Sequence, residues 1–290
     1  MQLKNSLMNN PLVSICCVTY NHENYIRQCL DGFVMQQTTF EYEILVHEDA
    51  STDSTAKILR EYEAKYPHLF RCVYQTVNQF KIQNTLTNIL FPMARGKYIA
   101  LCEGDDYWTD PLKLQKQVDF LEKNKDIVIC GHGARILDTI RNTEFLEVNR
   151  ERYIYFEDMI KKNWFFTSSV VFRNIIKKFP INFHKLPQGD WPLYLLLLEK
   201  GGGYFMNENM SVYRCHDKGV WSTLNEIEAH KKIIFTYRKF LGIFDKHSSE
   251  IKYFTVKYKL KYHLFFKELS IYIFYDIIEL YKMGIKKLLK

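Results

Sequence analysis

The first element of the architecture is indicated by Val13-Ser-Ile-Cys-Cys-Val-Thr19, a near-continuous apolar run close to the start of the chain. Such runs are typical of a strand that is buried on both faces of a parallel sheet. From Glu23 to Gln36 the apolar side chains then recur at helical spacing. A buried strand followed by an amphipathic helix predicts the first βα unit of an α/β fold.

The same order of strand and helix repeats over the first 135 residues. Further strands are predicted at 43–46, 71–74, 98–102 and 127–130, each separated from the next by a helical pattern or a turn. The alternation predicts a doubly wound, Rossmann-like mixed α/β sheet with right-handed crossovers. Ligands of such sheets bind beyond the carboxyl ends of the strands, where the functional residues are therefore expected.

Composition limits the class of protein. The chain has 290 residues, of which 47% are hydrophobic and 25% charged, and this excludes wholesale disorder. Lysine and arginine exceed aspartate and glutamate by seven, which suits an anionic partner without selecting one. The seven cysteines are an odd number, no secretory signal opens the chain, and no apolar stretch approaches the ~20 residues of a membrane span. We therefore expect a cytoplasmic protein with free thiols.

The chain divides into three regions by pattern. Residues 11–135 carry the βα alternation. Residues 136–225 are less regular and hold most of the remaining Trp, Gly and Pro. Residues 226–290 are predicted to be helices rich in Lys, Tyr, Phe and Ile.

Polar and acidic side chains follow three of the predicted strands. The segments are Thr19-Tyr20-Asn21-His22-Glu23, Glu48-Asp49-Ala50-Ser51-Thr52-Asp53 and Glu103-Gly104-Asp105-Asp106-Tyr107-Trp108. Each alone is typical of a solvated turn or a helix cap. Together at one edge of a sheet, the carboxylates would repel one another unless a cation lies among them, and hard oxygen ligands favour Mg²⁺ or Mn²⁺.

These segments, with Ala94-Arg-Gly-Lys-Tyr-Ile-Ala-Leu-Cys102 before the third, resemble the successive motifs of the family 2, GT-A-fold glycosyltransferases. The resemblance covers residues 12 to about 125 and extends more loosely to Ser222. It implies an inverting enzyme that moves a sugar from a nucleotide-diphosphate donor, UDP by family habit, to a hydroxyl of a glycan or lipid-linked acceptor. It further implies a role in bacterial polysaccharide or capsule synthesis. Residues 11–135 would then form the half that binds the nucleotide-sugar donor, residues 136–225 the acceptor-binding half, and residues 226–290 a basic, aromatic helical tail.

The resemblance also implies donor and metal residues. The donor site would comprise Thr19, Tyr20, Asn21, Glu23, Asp49, Arg95, Glu103, Gly104 and Asp105. The metal, Mn²⁺ or Mg²⁺, would be held by Asp106 as first choice, with Asp105 and His216 as further ligands. Glu103 departs from the family pattern, in which aspartate is commoner, and this leaves open which carboxylate contacts the metal.

The segment Leu186-Pro-Gln-Gly-Asp-Trp-Pro192 resembles the acceptor-side motif of the same family, which makes Asp190 the expected general base. Taken by itself, Asp190 is equally a helix cap, and the helix N-terminus would keep its carboxylate ionised. The expected acceptor-binding residues are Trp164, Gln188, Gly189, Trp191 and Trp221. His216, in a segment that resembles the motif folding over the diphosphate, is equally interpreted as a structural histidine.

Other functions remain as alternatives. A nucleotidyltransferase on a similar sheet lacks support because no glycine-rich phosphate loop follows the first strand. A non-catalytic nucleotide-sugar-binding or assembly protein is the second alternative. The lysines after residue 226 fit either a helical surface on an anionic membrane or helices that pack on the catalytic domain or form a homo-oligomer. No nucleic-acid-binding module is recognised.

Overall fold

The computed structural model describes residues 10–146, 150–180, 183, 186 and 189–266. Within these residues ten strands form one mixed sheet. The strands are β1 Val13–Thr19, β2 Tyr42–Glu48, β3 Phe70–Tyr74, β4 Tyr98–Glu103, β5 Tyr107–Trp108, β6 Ile127–Asp138, β7 Thr143–Leu146, β8 Arg152–Ile154, β9 Val171–Arg173 and β10 Gly202–Cys215.

The helices connect and cover these strands. They are α1 Ile26–Val34, α2 Thr55–Lys65, α3 Phe91–Met93, α4 Lys113–Lys123, α5 Phe156–Met159, α6 Asp190–Leu198, α7 Glu226–Phe240 and α8 Ser248–Phe266. A short π-helical turn, Leu86–Leu90, leads into α3, and 3₁₀ turns lie at Thr167–Ser169 and Asp245–His247.

The strand order is β3-β2-β1-β4-β9-β6-β10-β5. Strands β3, β2, β1 and β4 are parallel to one another, and β6 is parallel to β10. Strand β9 lies antiparallel between β4 and β6. The structure confirms the predicted mixed α/β sheet and the helices that follow it toward the C-terminus. The alternation could not reveal that a strand from much later in the chain separates β4 from β6.

Strand β6 is longer than its apolar run. The pattern predicts a strand that ends at Cys130, whereas pairing with β10 continues to Asp138. Gly131 and Gly133 interrupt the apolar sequence, so the pattern is lost while the backbone ladder persists. A side chain at Gly131 would lie 2.4 Å from the Phe165 ring, which explains the glycine. The strand also crosses residue 135, where a boundary between donor and acceptor regions was expected, and one sheet therefore serves both.

The two faces of the sheet bury separate cores. Val13, Ile15 and Cys17 of β1 point to one face, together with apolar residues of α1, α2 and α4. Cys16 points to the other face, where α5, α6 and α7 pack. Because strand side chains alternate in direction, a run that is apolar at every position buries both faces.

The helices after residue 226 pack on the second core. Tyr237 and Phe240 of α7 are buried, and their rings lie 5.5 and 5.4 Å from the indole of Trp191 on α6. The hydroxyl of Tyr237 donates to the carbonyl oxygen of Ile160 at 2.6 Å. The described part of the helical region therefore covers the same face of the sheet as α5 and α6. In that part of the chain we find no helix with the length and apolarity of a membrane span.

Candidate active site

The loops after β1 and β2 are joined by hydrogen bonds. Asn21 and Ala50, which follow these strands, both have positive φ angles, 54° and 60°. The Asn21 side-chain oxygen accepts the amide of Thr52 at 2.8 Å, and the Asn21 amide donates to the hydroxyl of Ser51 at 2.9 Å. Left-handed backbone at residues other than glycine is unfavourable and persists only where neighbours hold it, as these bonds do.

Asp49 lies almost buried in the same network. Its Oδ1 accepts the amide of Gln79 at 2.7 Å, and its carbonyl oxygen accepts the side chain of Asn78 at 3.1 Å. The segment after β3 is thereby attached to the loop after β2. Tyr20, 43% exposed, lies beside this network at the end of β1. Tyr20, Asn21 and Asp49 therefore lie together at the carboxyl ends of β1 and β2.

The loop after β4 approaches β1 closely. A Cβ on Gly104 would lie 2.6 Å from the hydroxyl oxygen of Thr19 and 2.9 Å from Nδ1 of His22. Only glycine allows this approach. Thr19 Oγ1 and His22 Nδ1 are buried without a hydrogen-bond partner among the described residues.

Asp105 faces two imidazoles. Its Oδ2 lies 3.0 Å from Nε2 of His216 and 3.6 Å from Nε2 of His22. Burial by itself would raise the pKa of Asp105, but the hydrogen bond with His216 and the charge of His22 outweigh it and leave the pKa below its usual value. Asp105 is therefore an ionised carboxylate at this position.

Asp106, the next residue, points elsewhere. It is fully buried; its Oδ1 accepts the backbone amide of Arg214 at 2.9 Å, while its Oδ2 has no partner among the described residues. Burial and the nearby Asp105 raise the pKa of this carboxyl well above its usual value. Consecutive aspartates thus have opposite environments.

Arg214 connects these groups to the first loop. Its guanidinium lies over the rings of Tyr107 at 4.3 Å and Tyr25 at 5.2 Å. It also donates to the carbonyl oxygen of Asp105 and to the side chain of Gln28. A buried cation is thereby fixed beside the acidic loop.

Asp190 begins α6 and is half-buried. Its Oδ2 accepts the side-chain amide of Asn163 at 2.8 Å. Burial raises the pKa of Asp190, although the amides at the helix start and the Asn163 bond act in the opposite direction. The helix N-terminus was expected to keep this carboxylate ionised; the amides there do lower its pKa, but burial raises the pKa by more. An aspartate with a raised pKa is a stronger base than a solvated one.

A cavity of about 360 Å³ lies in front of Asp190. Glu103, at the end of β4, lines it from the donor side and is open to it. The pKa of Glu103 is raised well above its usual value. The larger cause is loss of hydration inside the protein, and the smaller is repulsion from the carboxylates of Asp105, Asp106 and Asp190. The cavity is lined by Glu103, Lys162, Asn163, Trp164, Phe165, Phe166, Thr167, Asp190, Trp191, Tyr213, Trp221, Ile233 and Tyr258.

The structure brings several of the expected acceptor residues together. Trp164, Trp191 and Trp221 all line this cavity. Trp191 is also part of the core, and its indole N–H donates to the carbonyl oxygen of Met159 at 2.8 Å. Gly189 immediately precedes α6. Gln188 lies outside the described residues.

The expected carboxylates do not all meet in one cavity. Glu103 and Asp190 line it, whereas Asp49, Asp105 and Asp106 are absent from its lining. Tyr213 joins the two groups, because it lines the cavity and its pKa is raised by burial and then by the charges of Asp106 and Glu103. Asp105 and Asp106 are therefore close enough to Glu103 to raise its pKa, although they do not line the cavity.

Arg95 was predicted to bind donor, and its position contradicts this. Its guanidinium pairs with Glu43 at 2.7 Å, near the start of β2, and its amide donates to the same carboxylate at 2.9 Å. Arg95 also precedes β4, whereas the other donor residues follow β1, β2 and β4. It therefore lies at the opposite edge of the sheet, where it neutralises a buried glutamate.

Glu23, another predicted donor residue, forms hydrogen bonds within the protein. Its carboxylate accepts the amide of Ser54 at 3.0 Å, and its own amide donates to Asp53 at 3.1 Å. This reciprocal pair joins the loop after β1 to the start of α2. Glu23 therefore stabilises the loop after β1, and its carboxylate already accepts the Ser54 amide.

Three functional side chains were not singled out from the sequence. His22 faces Asp105, Asn163 binds Asp190, and Tyr258 of α8 lines the cavity. His22 lies inside a quoted motif and was accessible to sequence reasoning. Asn163 and Tyr258 carry no local signal, because their contacts join distant parts of the chain.

The described residues include no group of three or more His, Cys, Asp or Glu side chains arranged as a metal site. The best candidate metal ligands are the paired side chains of Asp105 and His216. Mg²⁺ and Mn²⁺ bound with substrate phosphates usually take one or two protein ligands, with phosphate oxygens and water completing the shell. The pair fits that pattern.

Comparison with known proteins places these features in a family. The model of Glycosyl transferase family 2 matches residues 14–180, which is more than half of the chain. The chain belongs to glycosyl transferase family 2. The matched residues contain β1 to β9 and all the donor-side loops described above, so the family resemblance seen in the sequence is confirmed.

Curated relatives of this family member extend across most of the chain. An uncharacterized protein of Mycobacterium tuberculosis is 39% identical over 211 residues, covering 72% of this chain and 60% of that protein. The chain thus spans well under two thirds of that relative. The putative teichuronic acid biosynthesis glycosyltransferase TuaG of Bacillus subtilis is 28% identical over 235 residues, covering 79% of this chain and 88% of TuaG.

Solved structures share the fold. TarS of S. aureus, residues 1–349 in complex with UDP-GlcNAc, has a TM-score of 0.63 at 15% identity, covering 92% of this chain and 79% of that one. The mannosyltransferase PcManGT of Pyrobaculum calidifontis, in complex with GDP-Man and Mn²⁺, has a TM-score of 0.58 at 14% identity, covering 97% and 82%. The GT-A-like architecture of the family 2 chain is therefore confirmed.

Proposed function

We propose that this family 2 chain is a metal-dependent inverting glycosyltransferase with Asp190 as its general base. The observation that carries the proposal is that Asp190 and Glu103 line one cavity, one from the acceptor side and one from the end of a donor-side strand. A base on one side of a cleft and a leaving-group site on the other is the arrangement that single displacement requires.

The donor would lie at the carboxyl ends of β1, β2 and β4. The nucleobase of the donor would contact Tyr20, Asn21 and Asp49, and its ribose would approach Glu103. Thr19 and Gly104 would shape the floor between these strand ends. UDP is the first nucleotide to test, since TarS was crystallised with UDP-GlcNAc, and GDP is the second, since PcManGT was crystallised with GDP-Man.

A divalent cation would be held by Asp105 and His216. This choice differs from the first choice made from the sequence, Asp106, because Asp106 is fully buried and bound to the Arg214 amide. The cation, Mn²⁺ or Mg²⁺, would supply positive charge to the diphosphate oxygens. Arg214 would contribute its own fixed positive charge beside the same loop.

The proton transfer follows from the position of Asp190. Its carboxylate takes the proton of an acceptor hydroxyl while that oxygen forms a bond to the anomeric carbon. The bond from this carbon to the diphosphate oxygen breaks on the opposite face, and the nucleoside diphosphate leaves with the electron pair. Asn163 orients the base through its hydrogen bond. Attack opposite the leaving group inverts the anomeric centre.

The cellular role that we propose is assembly of a cell-surface polysaccharide on a glycan or lipid-linked acceptor. The name of TuaG, a relative that the chain covers over 88% of its length, supports it. Peripheral association with the cytoplasmic face of a membrane, through the lysines after residue 226, remains a prediction; residues 267–290 of this region lie outside the described structure. Dimerisation through the C-terminal helices is a further prediction; packing of α7 on α6 accounts for the apolar face of α7 without a partner.

The test is a screen of nucleotide sugars by thermal shift with and without Mn²⁺, followed by assay of nucleotide release with acceptor mixtures. We expect one nucleotide class to raise the melting temperature in Mn²⁺ and EDTA to abolish the turnover of that donor. Donor binding with no turnover on any acceptor would favour a non-catalytic binder. Release of pyrophosphate in place of nucleoside diphosphate would favour a nucleotidyltransferase.

A further inference from the structure

The lining of the cavity extends beyond the matched family region. Residues 162–167 line it from within that region, and Ile233 of α7 and Tyr258 of α8 line it from beyond it. The hydroxyl of Tyr258 lies 3.5 Å from the carbonyl oxygen of Lys161, and the hydroxyl of Tyr237 also bonds this segment. The two C-terminal helices thereby hold the wall in place and take part in it.

Aromatic rings cover much of this wall. They belong to Trp164, Phe165, Phe166, Tyr213, Trp221 and Tyr258. Small-molecule sites are concave and mostly apolar or aromatic, with few polar groups that fix orientation. A sugar ring, with apolar C–H faces and polar edges, fits between such rings.

Two ammonium groups lie over the tryptophan faces. Lys162 Nζ is 3.8 Å from the ring centroid of Trp164, and Lys232 Nζ is 4.4 Å from that of Trp221. Among the described residues neither lysine forms an ion pair with a carboxylate. Burial also lowers the pKa of Lys232, so its charge is held at a cost that an anionic ligand would relieve.

The cavity therefore carries charges of both signs. The carboxylates of Glu103 and Asp190 line it and repel each other, and Lys162 lines it as well. A ligand that is negative at one end would be repelled by the carboxylates and attracted by the lysines. Its neutral end, carrying a hydroxyl, would then face Asp190.

We infer that this cavity is an acceptor subsite for a saccharide that carries a negative charge, either a carboxylate or a phosphate. The inference rests on the proposed function, because it takes Asp190 as the base that meets the acceptor hydroxyl. Helices α7 and α8 are then part of the acceptor site, and Lys162 is its specificity-determining cation.

The test compares methyl β-D-glucuronide and methyl β-D-glucoside 6-phosphate with methyl β-D-glucoside, each titrated calorimetrically into the full-length protein at low salt. We expect the two charged sugars to bind about two- to fivefold more tightly than the neutral one, as for an exposed charge contact. The preference should shrink in high salt because of screening. The relative affinity of the two charged sugars distinguishes a carboxylate from a phosphate preference.

Lys162→Gln is expected to abolish the preference for the charged sugars and Lys162→Arg to restore it. Lys161→Gln is the matched control, because the neighbouring lysine is also exposed but pairs with Asp158 at 3.5 Å and does not line the cavity. Equal binding of charged and neutral sugars, or an unchanged preference in Lys162→Gln, would overturn the inference.

Donor binding separates this outcome from failure of the proposed function. If nucleotide sugars bind and turn over but the charged sugars show no preference, the inference is wrong and the proposed function stands. If the charged sugars bind through Lys162 and no nucleotide sugar binds, the cavity is an anionic-saccharide site in a protein of another activity, and the inference fails with its premise.

Discussion

Asp105 and Asp190 are both acidic residues of the candidate active site, yet their surroundings differ. Asp105 lies beside two imidazoles, which lower its pKa despite burial. Asp190 has one neutral hydrogen-bond donor side chain, Asn163, and burial raises its pKa. The first is suited to remain charged and bind a cation, and the second is suited to take up a proton. The environments, and not the residue type, separate the two roles.

The regions around them are also built differently. The proposed donor side consists of short loops after parallel strands, where hydrogen bonds link residues such as Asn21 and Thr52. The proposed acceptor side is a cavity whose lining consists largely of aromatic rings. A network of fixed hydrogen bonds favours one rigid ligand such as a nucleotide. An aromatic wall can be varied without disturbing that network.

The largest effect is expected for Asp190→Asn. Removal of the base should lower turnover by about 10²- to 10⁴-fold, the usual contribution of general-base catalysis. Donor affinity should stay within about twofold, because in our proposal the donor does not need Asp190. Steady-state nucleotide release and calorimetric donor titration measure the two quantities. Normal turnover in this variant would assign the base elsewhere.

The second largest effect is expected for Asp105→Asn, which we compare with the same change at the neighbouring Asp106. Asp105→Asn should weaken Mn²⁺-dependent donor binding by about 10- to 100-fold, the scale seen when metal-site residues are altered. Asp106→Asn should weaken it less, because asparagine can still accept the Arg214 amide. Donor titrations with Mn²⁺ and with EDTA measure both. The reverse ranking would restore Asp106 as the metal ligand.

A smaller effect is expected for Asn163→Ala. The hydrogen bond from Asn163 lowers the pKa of Asp190, so its loss should raise that pKa further. Asp190 must be unprotonated to act, and turnover falls as pH decreases through its pKa. The acid limb of the pH–rate profile should therefore move to higher pH, while turnover on the plateau changes only a few-fold. An unshifted limb would show that this profile does not report Asp190.

The smallest effect on donor binding is expected for Arg95→Gln. The side chain pairs with Glu43 at the opposite edge of the sheet. Its loss should cost about 1 kcal/mol, the upper range for an exposed ion pair, and lower the melting temperature by about 2–4 °C. Donor affinity should not change. A large loss of donor affinity with an unchanged melting temperature would show that Arg95 does bind the donor.

Much of the donor side could be predicted from the sequence. The apolar run that ends at Thr19 and the polar segment after Glu48 locate two strand ends, and the structure shows both at one edge of the sheet. Parallel pairing makes this outcome general, so the loops meet wherever βα units repeat. The same reasoning failed for Arg95, since a motif resemblance does not state at which end of a strand a side chain is used.

The sequence by itself determined the fold class, the family and the short loops that would hold a donor, because these depend on patterns within a few residues. The tertiary structure determined which of two consecutive aspartates meets His216, a contact across 111 positions. It also determined that α7 and α8 complete the cavity in front of Asp190. Contacts of this kind depend on how the sheet and the helices pack, and no local pattern encodes them.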